Sequence, residues 1–510
     1  MSTALHDKES PSATRRNASG SKTELDSSSD NIPETGLGPE DARELPKEEA
    51  KFDDGGESGE EQRPQPVGFW DPSLDVLRKE IFLKWGLTTL ILCVFVLSVL
   101  SIYWGALFHI EQNVSSLVVY VVDFDGQVAP YNNTGEPAIV GPAITQLAEM
   151  TVQASPVHLG LGSLPPSHFD NDPMNVRRAV YDFKAWAAII INANATAMLR
   201  SAIRTGNTSY DPLGACQVIY MDSRDDTNWY DFIYPMLSTF MTQATTNVGE
   251  TWTRMVLQNA SDPTVLANLQ KVPQAISPAI GFSMFNLRPF YPFVSIPSVS
   301  IGLIYLIILS FFSAPFYMPI HMKFLRPPSG RPLKFQQLVI WRLVATLTAY
   351  FFVSLAYSLI SLAFQIPFSN AAAPHTEVAM NADAYGKGTF PVYWMLNFVG
   401  MTALGLACEN MVMVVGQPWT AMWLIFWVIT NVSTSFYDID LAPRFYYWGY
   451  AWPLHQIVEA SRQLLFGLHS RLGLNFGILF AWCAVNIVLF GPACWFLRYK
   501  QMHGIKEYFA

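Results

Sequence analysis

The sequence predicts an α-helical polytopic membrane protein with six spans in a 1+5 arrangement and an α/β extracytoplasmic domain inserted after the first span. Half of the 510 residues are apolar and only 14% are charged, whereas soluble domains usually carry about 25% charged residues. Uncharged runs of membrane length lie on both sides of one long polar stretch. This composition disfavours an ordinary cytosolic enzyme.

Residues 1–70 are predicted to form a disordered, acidic cytosolic tail. They contain 16 acidic and 8 basic residues and so carry −8 of the net charge of −9. The segment is rich in Ser, Glu, Asp, Pro and Gly, and it has too few large apolar residues to bury a core. No basic block dense enough to bind nucleic acid occurs along the chain, which excludes that class of partner.

Residues 71–108 are predicted to be the first transmembrane helix with its basic flank. The run 85–108 is uncharged over 24 residues, which gives about 36 Å of helix against a hydrocarbon core of about 30 Å. Arg78, Lys79 and Lys84 precede this run. Because basic residues favour the cytosolic side of a membrane, the N-terminus is predicted to be cytosolic.

Residues 109–294 are predicted to form an α/β domain on the extracytoplasmic side. Three β-branched or apolar runs predict strands, and three runs with helical periodicity predict helices. In chain order these six elements cover residues 117–122, 142–151, 185–192, 195–204, 216–221 and 230–257. Cys216 is the one cysteine of this stretch, so no disulfide forms within the domain.

The same domain is predicted to be glycosylated. Asn-X-Ser/Thr is the acceptor sequence for N-linked glycans. Five copies occur in the stretch, at Asn113, Asn132, Asn194, Asn207 and Asn259.

Residues 295–500 are predicted to form a five-helix membrane domain, followed by a cytosolic C-terminus at 501–510. The predicted spans are residues 296–320, 338–364, 391–415, 418–431 (extending to about 437) and 474–496. The loop after the first of these spans and the C-terminus are rich in Lys and Arg. Both are therefore predicted to be cytosolic.

An external amphipathic segment is predicted at residues 436–473. Its first 18 residues include eight aromatic side chains, a density that suits a membrane interface. The helix predicted after Pro453 has an apolar face and a polar face, as is typical of an interfacial or re-entrant helix on the external side. Glu459 and Arg462 on the polar face are spaced to pair. The segment could be a surface lid that seals the bundle or a substrate gate. Its candidate functional residues are Arg444, Tyr446, Tyr450, Pro453, His455, Glu459 and Arg462.

Two ionisable residues lie within predicted spans. Glu409 lies six residues before the end of its span and Arg342 four residues into another, which places both about 6–9 Å from the cytosolic edge. An unpaired charge at that depth is costly, so the two are predicted to form an intramembrane ion pair. The pair could be structural, or it could be a site that couples proton or substrate movement.

The sequence predicts no enzyme, with no catalytic residue, no metal site and no cofactor. Three Asp-X-Asp motifs occur without a supporting pattern and are typical of turns. The chain has no G-x-S-x-G, G-x-x-x-x-G-K-[ST] or H-E-x-x-H motif. If ATP energises this protein, a separate ATPase subunit must bind it.

Three motifs carry a resemblance to a known family. They are the aromatic run 444–453, Phe466-Gly467 with the run 472–482, and the strand–turn 121–126. Over about residues 70–505 the chain resembles the fungal nitrosoguanidine-resistance membrane proteins, which are similar in layout to ABC-2-type permeases. Trp452 departs from the methionine common before that proline. The resemblance implies a plasma-membrane or endomembrane protein with a role in tolerance of toxic compounds, and it implies no catalytic residue.

Two functions are compatible with the sequence. The protein could be a permease-like exporter that translocates lipids or other amphiphiles, with the lipid bilayer and a small amphiphilic substrate as partners. Alternatively, it could be a non-transporting membrane regulator or scaffold whose extracytoplasmic domain binds a partner. Either form could be a homo-oligomer. Its predicted location is the plasma membrane or an endomembrane of the secretory route, with both termini cytosolic.

Overall fold

The computed structural model describes residues 66–133, 135–258, 263–324, 330–331, 333–369, 385–416 and 419–503. Most of the predicted tail (1–65) and most of the predicted C-terminus (504–510) lie outside these ranges. The described residues divide into two units, one that ends at Asp75 and one that begins at Val76. In the first unit a 3-10 turn at Pro72–Leu74 begins where the Asp71 carboxylate accepts a hydrogen bond from the Ser73 backbone.

The first apolar helix begins earlier than its uncharged run. Helix α1 spans Asp75–Phe95, a π-helical turn follows at Val96–Leu100, and α2 spans Ser101–Ala106. The basic residues before the apolar run lie inside α1, because Lys and Arg are good helix formers. Among Asp75–Ala106, only Val99 and Ala106 are buried, so this helix lies at the edge of the bundle.

The stretch after α2 folds around a five-stranded sheet. In chain order its strands and helices are β1 Val118–Asp123, α3 Val140–Ala154, β2 Gly160–Leu164, α4 Pro173–Tyr181, β3 Ala187–Ile191, α5 Ala195–Thr205, β4 Cys216–Tyr220, α6 Asp226–Asn228, α7 Tyr234–Gln258, α8 Pro263–Lys271 and β5 Phe282–Asn286. The strand order is β2-β1-β3-β4-β5, with β3 and β4 antiparallel and all other neighbours parallel. This segment is called the sheet domain below.

A buried carboxylate fastens two helices to the sheet. Asp125 follows β1 and accepts hydrogen bonds from the backbone of Gly141 in α3, and from the backbone and hydroxyl of Thr196 in α5. The carboxylate of Asp123 fills the space beside Gly141, where a Cβ atom would collide with it. The Asp-Phe-Asp-Gly turn is therefore a structural element that closes the sheet domain core.

The second half of the chain is a helical bundle. Its helices are α9 Ile296–Val299, α10 Ile304–Met322, α11 Phe335–Ala363, α12 Thr389–Val415, α13 Trp419–Val432, α14 Pro453–Phe466 and α15 Leu472–Met502. Helix α12 is central: 17 of its 27 residues are buried, and it contacts α10, α11, α13, α14 and α15.

Five helical segments among the described residues are long and apolar enough to cross a membrane. They are Pro72–Ala106, Phe293–Met322, Phe335–Ala363, Gly386–Val415 and Leu472–Met502. The remaining predicted span, residues 418–431, corresponds to α13, which has 14 residues and a length of about 21 Å. That is shorter than a hydrocarbon core of about 30 Å, so the described part of the chain has five helices of spanning length and one shorter apolar helix.

Candidate functional site

The buried face of α11 is polar along almost its whole length. Six of its seven buried residues carry polar or charged groups, and most are four residues apart: Arg342, Thr346, Tyr350, Ser354, Ser358 and Ser361. Residues four apart lie on one face of a helix. From the first to the last of them the helix rises about 28 Å, close to the thickness of a hydrocarbon core. We call these six residues the polar track.

Neighbouring helices supply hydrogen-bond partners at the end of the track nearest the sheet domain. Ser361 lies 2.8 Å from the Ser298 hydroxyl of α9 and 3.4 Å from the Tyr393 hydroxyl of α12. Asn397 of α12 donates to Ser358 Oγ at 2.9 Å, and its own Oδ1 has no hydrogen-bond partner among the described residues. Helices α9, α11 and α12 thus all contribute hydroxyl or amide groups to this end of the track.

The opposite end of the track holds the two ionisable residues predicted within spans. Arg342 Nη2 lies 3.1 Å from Glu409 Oε2, and both side chains are 3% exposed. Ser313 of α10 bridges this pair to the middle of the track, since its hydroxyl lies 3.4 Å from Glu409 Oε1 and 3.1 Å from Tyr350 Oη. The structure therefore brings Arg342 and Glu409 together as one part of a longer polar line.

The outward face of α11 is apolar and exposed, with Ile340, Val344, Phe352, Leu359 and Ile360 on it. This is the arrangement of a helix with lipid outside and polar groups inside a bundle. The charge pattern of the spans reveals only Arg342 of the track, because the other five members are uncharged. The four-residue spacing of polar side chains from 342 to 358 was the signal that could have found it.

Close packing at Gly405 holds α12 against the centre of the track. A Cβ atom there would collide with the Tyr350 hydroxyl, and it would lie 2.7 Å from Ser310 Cβ. We expect Gly405→Ala to destabilise the protein by about 1–3 kcal/mol, the usual cost of overpacking. Gly477→Ala in α15, where nothing lies within 4 Å, is the matched control. Thermal unfolding in detergent checks this, and equal midpoints for the two variants would contradict it.

A charged cavity of about 190 Å³ lies between the sheet domain and the bundle. We call it the junction cavity. Three arginines, four carboxylates and a histidine line it: Arg224, Asp225, Asp438, Asp440, His455, Glu459, Arg462 and Arg471. Arg224 is held between two aromatic rings, 4.7 Å from the Phe183 centroid and 3.6 Å from that of Trp186.

Arg462 of α14 is the centre of the charges around this cavity. Its Nη1 lies 3.1 Å from Asp225 Oδ2 and 3.8 Å from Glu459 Oε1, and its Nη2 lies 3.9 Å from Asp226 Oδ1. Burial alone would lower the pKa of Arg462, but these carboxylates outweigh it and raise the pKa. Burial raises the pKa of Asp225 to about 6, against the opposing charge of Arg462. The pair joins the sheet domain to α14.

The other residues predicted in the external segment are more scattered. Tyr450 donates to Asp440 at 3.0 Å, and His455 Nδ1 lies 3.1 Å from the Thr434 carbonyl, so both lie beside the junction cavity. Tyr446 instead donates to the Ile102 carbonyl of α2 at 2.7 Å. Arg444 is exposed and Pro453 is the first residue of α14.

Helix α14 is buried more deeply than the interfacial alternative of its prediction would have it. Twelve of its 14 residues are buried, including the polar Gln456, Arg462 and Gln463, and the other two, His455 and Glu459, are half-buried. Asp225 covers Arg462, while Asn475 of α15 donates to Gln456 and accepts from Gln463. The polar face was predicted to meet water because sequence alone does not reveal the carboxylates and amides that cover it.

The predicted glycosylation sites differ in accessibility. Asn132 and Asn207 are exposed, whereas Asn113 and Asn194 are half-buried and Asn113 donates to the Leu441 carbonyl at 3.0 Å. Asn259 lies outside the described residues.

We expect Asn132→Gln and Asn207→Gln each to remove one glycan. The loss of apparent mass should be smaller for Asn113→Gln, because the Asn113 amide donates a hydrogen bond within the folded protein. Endoglycosidase treatment followed by gel mobility measures this, with Asn192→Gln, which is outside any acceptor sequence, as the control. A wild-type band that endoglycosidase does not shift would contradict the predicted topology.

Within the described ranges no group of three or more His, Cys, Asp or Glu side chains is placed to hold a metal ion. The five cysteines are all free thiols.

Comparison with known proteins places this architecture in a family. An uncharacterized endoplasmic reticulum membrane protein of Saccharomyces cerevisiae is 28% identical over 451 residues, which cover 84% of this chain and 82% of that protein. No solved structure matches the chain significantly. With its apolar helices, the chain is a membrane protein. Residues 88–488 match the family described as protein of unknown function (DUF3533), and because this match covers well over half of the sequence, the chain belongs to that family.

Proposed function

We propose that the protein translocates amphiphilic molecules, lipids or lipophilic toxic compounds, across its membrane. The polar track carries this proposal, because polar groups inside a membrane bundle are costly and mark substrate or ion pathways. Packing of α11 against α12 does not require six buried polar residues in one line, because an apolar face would have packed as well.

The two faces of α11 suit the two parts of an amphiphile. A polar headgroup crossing hydrocarbon without hydrogen bonds loses several kcal/mol. The hydroxyls of the track and the Asn397 amide beside it can replace those hydrogen bonds, and the Arg342–Glu409 pair lies at the end of the line. The apolar part of the same molecule can stay in lipid beside the outward face, where Val344 and Phe352 are exposed.

Reconstitution of the full chain into liposomes with a fluorescent lipid tests the proposal. Movement above that of empty vesicles, with or without a proton gradient, is the expected result. Thr346→Val and Thr348→Val form a matched pair, since Thr346 is buried on the track and Thr348 is exposed on the other face of α11. The first should slow movement several-fold and the second should leave it unchanged.

No movement in any vesicle would overturn this proposal in favour of the regulator or scaffold. Equal effects of the two threonine variants would also count against a route along the track. Copurification of an ATPase subunit would identify the source of energy, and we propose that the chain itself has no catalytic activity. Cross-linking in native membranes would test for a homo-oligomer.

We further propose that the protein resides in an endomembrane of the secretory route, with both termini cytosolic. The name of the yeast relative supports an endoplasmic reticulum location, and the basic loops support the orientation. The resemblance of the sequence to the nitrosoguanidine-resistance membrane proteins supports a role in tolerance of toxic compounds. Imaging of a tagged chain, together with growth of a deletion strain on nitrosoguanidine, tests both points.

A further inference from the structure

The sheet domain contains a second cavity system, separate from the polar track and from the junction cavity. An open cleft of about 720 Å³ adjoins a smaller cavity of about 300 Å³, and the two share Glu136, Arg200 and Arg204. The larger cleft lies within the range of about 300–1,000 Å³ that is typical of small-molecule sites.

The smaller cavity lies beside β1 and β3, the neighbouring strands whose onward connections run to opposite sides of the sheet. It is lined by Asp125 and Gly126, which follow β1, and by Ala193 and Thr196, which follow β3. β1 connects through α3 to β2 on one side, and β3 connects through α5 to β4 on the other. In α/β sheets this point, outside the carboxyl ends of the strands, is where ligands bind.

The larger cleft has an apolar wall. Trp252 and Val256 of α7, Ile203 of α5 and Ile139 contribute it, and each is less than 10% exposed. Met255 of α7 is 38% exposed and also lines the cleft. A wall of this kind suits a hydrocarbon chain or ring.

Two arginines form the other side of the cleft. Arg200 and Arg204 are four residues apart on α5 and therefore share a face. Arg200 donates to Glu136 at 2.8 Å, and the Glu136 side chain is 56% exposed. An incoming anion can exchange with such an exposed partner. The N-termini of α3 and α5 offer no competing anion site, because Asp125 already accepts their hydrogen bonds.

We propose that this cleft binds an amphiphile with one apolar chain and an anionic headgroup, a carboxylate or a phosphate monoester. The apolar wall covers the chain, and Arg200 and Arg204 hold the headgroup. The inference concerns binding alone and does not depend on movement along the polar track.

Photo-crosslinking on the purified full chain tests the inference. The probes are a diazirine-labelled palmitate, the chain-matched lysophosphatidate and the chain-matched alcohol. Both anionic probes should label peptides of α5, α7 or α8, and the stronger of the two identifies the headgroup. The neutral alcohol should label them roughly tenfold less, the usual effect of losing charge-assisted hydrogen bonds. Excess inorganic phosphate, which lacks the chain, should not compete.

Variants distinguish a loss of binding at the cleft from a general loss of folding. Arg200→Ala with Arg204→Ala should reduce labelling about tenfold, whereas Lys at both positions should retain most of it. Arg254→Ala is the matched control, since Arg254 also forms an ion pair, with Glu250 on α7, but is not among the residues of the cleft. Equal labelling by the alcohol, unchanged labelling of the alanine variant, or labels confined to the spanning helices would overturn the inference.

Discussion

Arg342→Met should destabilise the bundle by about 3–5 kcal/mol, the cost of leaving a buried charge without its partner. The Glu409 side chain is 3% exposed, and among the described residues the Ser313 hydroxyl at 3.4 Å is the hydrogen-bond partner that it retains. Glu409→Gln should also destabilise, because Arg342 then faces a neutral amide instead of a carboxylate, beside the sulfur atoms of Met413 and Cys494 and the Phe490 ring, 5.4 Å away.

Combining Arg342→Met with Glu409→Leu should recover most of that loss. Replacing a buried ion pair by apolar residues of similar volume is often neutral or stabilising, and a double-mutant cycle measures the coupling between the two sites. Abundance in membranes and thermal unfolding in detergent are the readouts. Arg498→Met, which removes a cation elsewhere in the bundle, is the control. A double variant no more stable than the worse single variant would contradict a simple pair.

The apolar double variant also separates the two roles left open for this pair. If the folded double variant still moves fluorescent lipid at the wild-type rate, the pair serves stability alone. If it folds but moves none, the charges take part in translocation.

The sequence contained enough to foresee the helices of the bundle and part of the sheet domain. Long uncharged runs mark spanning helices because hydrocarbon tolerates few charges. β1, β3 and β4 are rich in apolar residues, and β3 is buried at every position. β2 (Gly160–Leu164) and β5 (Phe282–Asn286) were missed because each lacks a buried β-branched run. They pair with β1 and β4 at the edges of the sheet.

The functional features depended on contacts between distant segments. The depth of a residue within a predicted span can be read from the sequence, and Arg342 and Glu409 are charged residues at similar depths in two such spans. Arg462 could be assigned to a polar face, but its main partner, Asp225, lies 237 residues away in the sheet domain. No local spacing indicates such a contact. The cleft beside Arg200 likewise combines residues from α5, α7 and α8.

Arg462→Met should weaken the contact between the sheet domain and α14. We expect it to lower the free energy of unfolding by about 3–5 kcal/mol. Arg462 is 3% exposed and is the shared cation of Asp225, Asp226 and Glu459. Asp225→Asn should cost less, because Arg462 keeps the other two carboxylates. The double variant should be more stable than Arg462→Met alone. Thermal unfolding of the full chain measures all three, with Arg444→Met, at an exposed position, as the control.

The same site predicts how stability changes with pH. Burial raises the pKa of Asp225 from its ordinary 3.8 to about 6, so the folded protein binds this proton more tightly than the unfolded chain does. The contribution of Asp225 to the free energy of unfolding is therefore most favourable below about pH 4. It declines by about 3 kcal/mol as the pH rises from there through 6. Asp225→Asn should lack this decline. Arg462→Met should steepen it, because the charge of Arg462 then no longer opposes the rise in the pKa of Asp225. Parallel pH profiles for wild type and Asp225→Asn between pH 4 and 8 would show that Asp225 is not the titrating group.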